Sequence, residues 1–304
     1  MKLFLLILGV VVVALVLLEI GLRSLFGFGN PLTYIADDQI GYLLAPNQRT
    51  RRFGNFIEIN EYSMRSGAVA QTPPTRRVLM LGDSIVNGGW WTDQANTISS
   101  LLMASLSQQQ PTEVLNASAN SWGPRNELAY LKKYGTFQAQ MIVLLINTDD
   151  LFATAPTSLP VGRDRNYPNQ KPALGLIEVW QRYVQKQQPI PELAAVQKEA
   201  GDRVGVNLEA IAQIQALTQQ NQSKFLLVMT PLLRELGKPG PRDYEITARQ
   251  RLQDFTQAQQ IAYIDFLPIF NVNTNPQALY QDHIHLNLQG NQIVSQEIER
   301  SLLN

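Results

Sequence analysis

The chain of 304 residues contains no cysteine. Disulfide bridges, thiolate metal sites and a cysteine nucleophile are therefore excluded. Net charge is also absent: 25 Lys+Arg balance 25 Asp+Glu. The basic surface of a nucleic-acid binder is missing, and no nucleic-acid partner is expected. Histidine is scarce, with only His283 and His285, both inside the segment Asp282-His283-Ile284-His285-Leu286-Asn287. Gly82-Asp83-Ser84 has no following Gly-Lys-[Ser/Thr], which excludes a phosphate loop. No spacing of His, Asp and Glu suggests a metal site, and Asp149-Asp150 is too sparse for calcium. Neither a metal nor a cofactor is expected. The chain also lacks internal repeats and true low-complexity tracts, although glutamine is abundant. Hydrophobic residues make up 45% of the chain, enough for a sizeable core.

The longest apolar run lies at the N-terminus. Leu3 to Leu18 carry no charge, and apolar character continues past Glu19 to Leu22 and Arg23. A membrane-spanning helix needs about 20 apolar residues, so the run is long enough if Glu19 lies near the far interface. Three readings compete: an uncleaved signal anchor, a cleaved signal peptide and a buried soluble helix. Lys2 before an apolar stretch suits the first two. The anchor over residues 1–23 is favoured, because no small-x-small cleavage site follows. Lys2 and the terminal amine favour an inside N-terminus, whereas Arg23, Arg49, Arg51 and Arg52 oppose it. A single-pass protein with the bulk of the chain outside the cytoplasm, periplasmic or at the cell surface, is the expectation, an orientation that the family resemblance below also implies.

Residues 24–75, with Gly27, Gly29, Pro31, Pro46, Pro73 and Pro74 among polar and basic residues, read as a stalk and approach segment. From residue 76 the texture alternates. Short apolar runs predict strands at Arg77–Leu81, from Val114, at Met141–Ile146, at Lys224–Met229 and at Ala262–Asp265. Helices are expected near Thr97–Leu106, Arg125–Tyr134, Leu208–Gln219, Tyr244–Gln259 and Asn287–Leu302. Such alternation argues for a parallel sheet covered on both faces. Residues 151–205 break the rhythm and read as an insertion or lid, with a helix around Leu176–Gln187. The domain is therefore expected over residues 76–304.

Sites in open parallel sheets form beyond the carboxyl ends of the strands. Gly82-Asp83-Ser84, Asn116 to Gly123 and Asn147-Thr148-Asp149-Asp150 fall at such ends, and the Asp282–Asn287 cluster precedes the last helix. A serine hydroxyl needs a base to become a nucleophile, and imidazole is the usual one near neutral pH. Asp282 stands three residues before His285, so one turn of chain can set its carboxylate against the ring and fix the tautomer. Ser84 alone would pass for a helix cap, and His285 alone for an ordinary histidine. Together, in this order, they make a candidate triad of Ser84, His285 and Asp282. His283 has the wrong spacing from Asp282 and reads as a bystander.

Gly82-Asp83-Ser84 after a strand, with Asp282-x-x-His285-Leu286-Asn287-x-x-Gly290 near the C-terminus, resembles the SGNH/GDSL hydrolase family over about residues 76–302. The resemblance implies a flavodoxin-like three-layer α/β/α sandwich with a parallel sheet. It also implies a serine ester hydrolase or acyltransferase using the three residues above. The anchor followed by Glu19-x-Gly21-Leu22-Arg23 looks like bacterial envelope members of the group. Oxyanion stabilisation in such enzymes uses the nucleophile's own N–H, a glycine N–H and an asparagine amide. Here those roles fall to Ser84, to Ser121 where glycine is usual, and to Asp149 where asparagine is usual. An ionised Asp149 would repel the oxyanion. Protonation of Asp149, or substitution by Asn147 or Asn120, would restore the donor. Trp90 and Trp91 are candidate substrate contacts, with packing against the lid as the alternative. Arg165 in the insertion is a further candidate, with a solvated loop as its alternative. The expected substrate is an acylated glycan or lipid of the envelope. The alternatives are an O-acyltransferase fed by a membrane acyl-donor partner and decorating extracellular polysaccharide, and a catalytically weak glycan-binding scaffold.

Overall fold

A computed structural model describes residues 1–273 and 275–303. Two antiparallel hairpins come first: β1 (Tyr34–Asp37) pairs with β2 (Gly41–Leu44), and β3 (Gln48–Arg52) with β4 (Asn55–Ile59). Five parallel strands follow, β5 (Arg76–Gly82), β6 (Thr112–Ser118), β7 (Met141–Asn147), β8 (Lys224–Thr230) and β9 (Ala262–Asp265), in the order β6-β5-β7-β8-β9. The chain thus leaves β5 to one side, returns across it to β7 and continues outward. This reversal puts the topological switch point at the carboxyl end of β5.

Successive side chains of a strand point to opposite faces, and the apolar runs use both. Leu79, Leu81, Ile142, Leu144 and Ile146 pack with Leu131 of the helix Pro124–Tyr134 and with Ile211 and Ile214 of the helix Arg203–Gln220. Their neighbours Val78, Met80, Val143 and Leu145 pack on the other face, against Leu102 of Ile98–Leu106 and Val294 and Ile298 of Leu288–Leu303. The result is a three-layer α/β/α sandwich, with the inner strands β5, β7 and β8 buried on both sides as parallel sheets require and the edge strand β9 partly exposed.

The segment 24–75, read from its composition as a stalk, is built into this domain. Tyr42, Leu43, Leu44, Ile57 and Ile59 of the two hairpins are buried and join the core on the face of Leu79 and Leu81. Polar residues alternate inward along β3, where Gln48, Thr50 and Arg52 are buried and Arg49 and Arg51 exposed. Lys2–Gly21 is an α-helix that continues as a wider turn to Phe26, and none of its residues is buried. Lys2–Phe26 is the one described helix long and apolar enough to cross a membrane.

Candidate active site

Gly82 closes β5 where space is tight. A Cβ there would meet Val86 Cγ2 at 2.4 Å and the Leu145 carbonyl at 2.7 Å. The strand then turns into the short helix Ser84–Asn87, whose N-cap Asp83 accepts from the Ile85 N–H at 2.8 Å. This turn sets Ser84 at the carboxyl edge of the sheet. Two hundred residues later the Asp282–His285 turn approaches it. His285 Nε2 lies 2.9 Å from Ser84 Oγ, and His285 Nδ1 lies 2.7 Å from Asp282 Oδ2. Asp282 Oδ1 accepts from the backbone N–H groups of Ile284 and His285 at 2.9 and 2.8 Å. Partial burial pushes the Asp282 carboxyl up, but the hydrogen bonds from His285 and the backbone outweigh it and hold the group below the usual carboxylate range. With Asp282 ionised, Nδ1 carries the proton and Nε2 is left to accept from the Ser84 hydroxyl. His283 faces solvent, its Nδ1 3.9 Å from Asp282.

These groups open into a cleft of about 720 Å³, also lined by Trp90, Trp91, Asn120, Ser121, Asn147 and Asp149. The GDSL-like lipase/acylhydrolase family model matches residues 80–293. The chain belongs to this family. It is an ester-hydrolase-type enzyme, and its match spans both the Ser84 turn and the Asp282–His285 turn. Among solved structures, an α/β hydrolase enzyme from the metagenome of Lake Arreo, Spain, shares the fold at TM-score 0.50 and 12% identity, covering 77% of this chain and 98% of its own. An acetyl xylan esterase aligns at TM-score 0.49 and 14% identity, over 74% of this chain and 98% of its own. A catalytic mutant of an acetylxylan esterase from Geobacillus stearothermophilus aligns at TM-score 0.49 and 14% identity, over 76% and 95%. No curated protein matches the chain.

The two asparagines weighed as amide donors differ sharply. Asn147 is buried in the cleft floor. Its Nδ2 donates to Asp83 Oδ2 and to Asp150 Oδ2, both at 2.9 Å, and its Oδ1 accepts from the Asp149 N–H at 2.7 Å. Both amide protons are thereby spent on carboxyl groups, and the side chain caps the strand end. Asn120 sits half-buried in the cleft wall, and its side-chain oxygen is buried with no hydrogen-bond partner among the described residues. The Asn120–Ser121 turn is held from two sides. Tyr42 OH donates to the Asn120 carbonyl at 2.6 Å, and Tyr167 OH lies 3.0 Å from Ser121 Oγ. Ser121 has φ +60°, a left-handed conformation that accounts for glycine being the usual residue there. Asp149 lies at the exposed rim. Partial burial pushes its carboxyl up against the pull of Arg234.

Trp91 packs its ring 4.2 Å from the His285 ring, and Trp90 sits beside it at 5.8 Å. Arg165, by contrast, does not reach this cleft. It lines a separate depression, where its guanidinium bonds the carbonyls of Arg182 and Gln185 and the side chain of Gln187. A guanidinium so engaged has little left to offer a substrate in the Ser84 cleft.

Sequence reasoning missed the carboxyl groups beneath the nucleophile turn. Asp83, Glu127 and Asp150 are buried together. Burial raises all three above their ordinary values, and the proximity of Asp83 raises both Asp150 and Glu127 further. Neither Glu127 oxygen has a hydrogen-bond partner among the described residues. Because its folded pKa lies above the ordinary 4.5, Glu127 favours folding below that value, and the benefit is lost as pH rises toward the folded pKa. Glu127→Gln is therefore expected to gain stability relative to wild type as pH rises from 5 to 8. Thermal unfolding of both proteins across pH checks this: the advantage of the variant should shrink toward pH 5, and a constant difference would rule out an ionisation cost.

Proposed function

We propose that the chain is a membrane-anchored serine esterase that removes acyl groups from envelope glycan or lipid, with Ser84 as nucleophile, His285 as general base and Asp282 as its orienting partner. The unbroken hydrogen-bond chain from Ser84 Oγ through His285 to Asp282 carries this reading. His285 Nε2 takes the hydroxyl proton as Ser84 attacks the ester carbonyl, and Asp282 stabilises the imidazolium so formed. The imidazolium then returns the proton to the departing alcohol, leaving an acyl-serine. Water, deprotonated by the same imidazole, releases the acid and restores the enzyme. We assign the oxyanion to the N–H groups of Ser84 and Ser121 and to the Asn120 amide, with Asn147 supporting the floor. The apolar helix Lys2–Phe26 would anchor the domain on the outer side of a membrane.

Labelling by a fluorophosphonate tests nucleophile activation directly. Wild type should be modified at Ser84, and His285→Ala should react far more slowly. Absence of labelling, or labelling elsewhere, sinks the proposal. Product analysis with a glycan acceptor present assigns the outcome: free acid marks hydrolysis, acylated glycan marks transfer. Asn120→Ala should lower kcat by about 10²–10³ with KM little changed, the usual result of losing one oxyanion donor. An unaltered kcat would remove Asn120 from the hole.

A further inference from the structure

The insertion contains a helix, Gly175–Val179, that continues as a wider turn through Val184. Leu174, Ile177, Trp180 and Tyr183 recur at helical spacing, and all are exposed, the two aromatics by 59% and 68%. The opposite side carries Glu178, buried, which accepts from Arg52 at 2.7 Å, Arg182 at 2.8 Å and the Gly29 N–H at 2.7 Å. The helix is therefore fixed to the domain by its polar side and turns its apolar side outward. Ordinary packing does not explain large aromatics left in that position.

Its position along the N-terminal helix is equally defined. The Glu19 carboxylate accepts from the N–H groups of Gly175 and Leu176 at 2.7 and 2.9 Å, and Arg23 donates to the Ala173 carbonyl at 2.7 Å. At the other end Tyr183 packs 6.3 Å from Phe28. Glu19 and Arg23 are the first charges after Lys2, so the exposed stripe lies where the apolar span ends. From the same level a line of rings reaches the site. Phe26 meets Phe53 at 5.8 Å, Phe53 meets Trp90 at 5.0 Å, Trp90 meets Trp91 at 5.8 Å, and Trp91 meets His285 at 4.2 Å. The tip of the β3–β4 hairpin is tied to that level by the Phe53 N–H bonding the Phe26 carbonyl at 3.1 Å. Gly27 permits this approach, since a Cβ there would fall 1.8 Å from the Arg51 carbonyl oxygen.

We propose that the stripe Leu174, Ile177, Trp180 and Tyr183 is a seat in the bilayer interface, and that the ring line from Phe26 to Trp91 admits membrane-borne amphiphilic esters to Ser84. The proposal rests on the anchored-esterase reading and selects its lipid branch. Trp and Tyr favour the headgroup level, where an apolar ring body and a polar tip are both accommodated. An amphipathic helix with such a face lies in the plane of the interface. The substrate's acyl or lipid tail would follow Phe53 and Trp90 while its ester carbonyl reaches Ser84.

The test uses the full chain in phosphatidylcholine–phosphatidylglycerol vesicles whose acyl chains carry bromine near the headgroup. Bromine should quench the tryptophan emission, and Trp180→Phe should remove a large share of the quenching. Emission from Trp180 untouched by brominated lipid overturns the seat and leaves the face to a protein partner. Ile177→Gln/Tyr183→Gln should hydrolyse a water-soluble acetate ester as wild type does, yet act about tenfold more slowly on a long-chain ester embedded in the vesicles. Equal rates on the embedded ester also overturn the seat. The two readings fail separately. A wild type inactive on both esters but quenched at Trp180 retains the seat and loses the esterase assignment and the substrate route. A chain washed from the vesicles at alkaline pH loses the anchor and the seat together.

Discussion

Ser84→Ala is expected to lower hydrolysis of p-nitrophenyl acetate by about 10⁴–10⁶-fold, with little change in KM or in the unfolding midpoint. Among the described residues the hydroxyl hydrogen-bonds His285 Nε2 at 2.9 Å and Asp83 Oδ2 at 3.3 Å, so its loss should leave packing intact while removing the atom that would bond the acyl group. Residual hydrolysis above the uncatalysed rate should persist, because the proposed oxyanion donors and the imidazole stay in place. His285→Ala should cost a similar factor. The double variant should lose little more than either single one, since hydroxyl and imidazole act on the same bond-making step and their contributions do not add. Equal rates for wild type and Ser84→Ala would place the chemistry elsewhere. Additive losses would separate the two residues into independent steps.

The parts of the fold legible in the sequence are those whose stability is local in pattern. Met141–Ile146 has no polar interruption, so β7 could be read directly, and β8 nearly so. In β6 only Val114-Leu115 announced the strand, because Asn116 stands in its middle. That asparagine is fully buried and donates to the Val86 carbonyl and Ser99 Oγ, both at 2.8 Å, partners far away in sequence. Strand β3 was hidden for the same reason. Gln48, Thr50 and Arg52 alternate inward as a strand requires, but each is a polar residue whose burial depends on a distant group: Thr33, Asn30 and Glu178 respectively. A pattern reader counts them as surface. The hydroxyl, imidazole and carboxylate were legible because their residue types are scarce or fixed in spacing. The different settings of Asn120 and Asn147 were not, although Asp150 three residues after Asn147 is the pattern of a strand-end cap. Glu127 gave no signal, since nothing in its neighbourhood distinguishes it from the solvent-facing acids of an amphipathic helix.

Arg65 should have the largest effect on stability of any single position outside the apolar core. It is buried, and its guanidinium donates to the carbonyls of Asn87, Gly89 and Thr92, with Gln94 Oε1 at 3.4 Å. Its backbone N–H bonds the Asn116 carbonyl at 2.9 Å, so the residue ties β6 to the loop that leaves the Ser84 helix. That loop turns through Gly88 and Gly89, both at positive φ, and is closed across Trp90 and Trp91 by a single turn, the Thr92 N–H bonding the Gly88 carbonyl at 3.1 Å. One planar cation with N–H groups spread over three nitrogens can reach several separated carbonyls at once, whereas lysine carries its donors on a single nitrogen and a neutral side chain has fewer. Arg65→Met fills most of the volume but strands those carbonyls away from water. The expected cost is about 3–5 kcal/mol, or roughly a 10 °C fall in the unfolding midpoint of a domain this size. Arg65→Lys should recover part of it by serving one or two of the acceptors. Activity should fall in both variants through Trp91, whose ring fixes one face of His285, and the loss should appear in kcat and KM together because the same loop lines the cleft. A melting midpoint in Arg65→Met equal to wild type would mean that the carbonyls find water, and that the loop holds its shape without the cation.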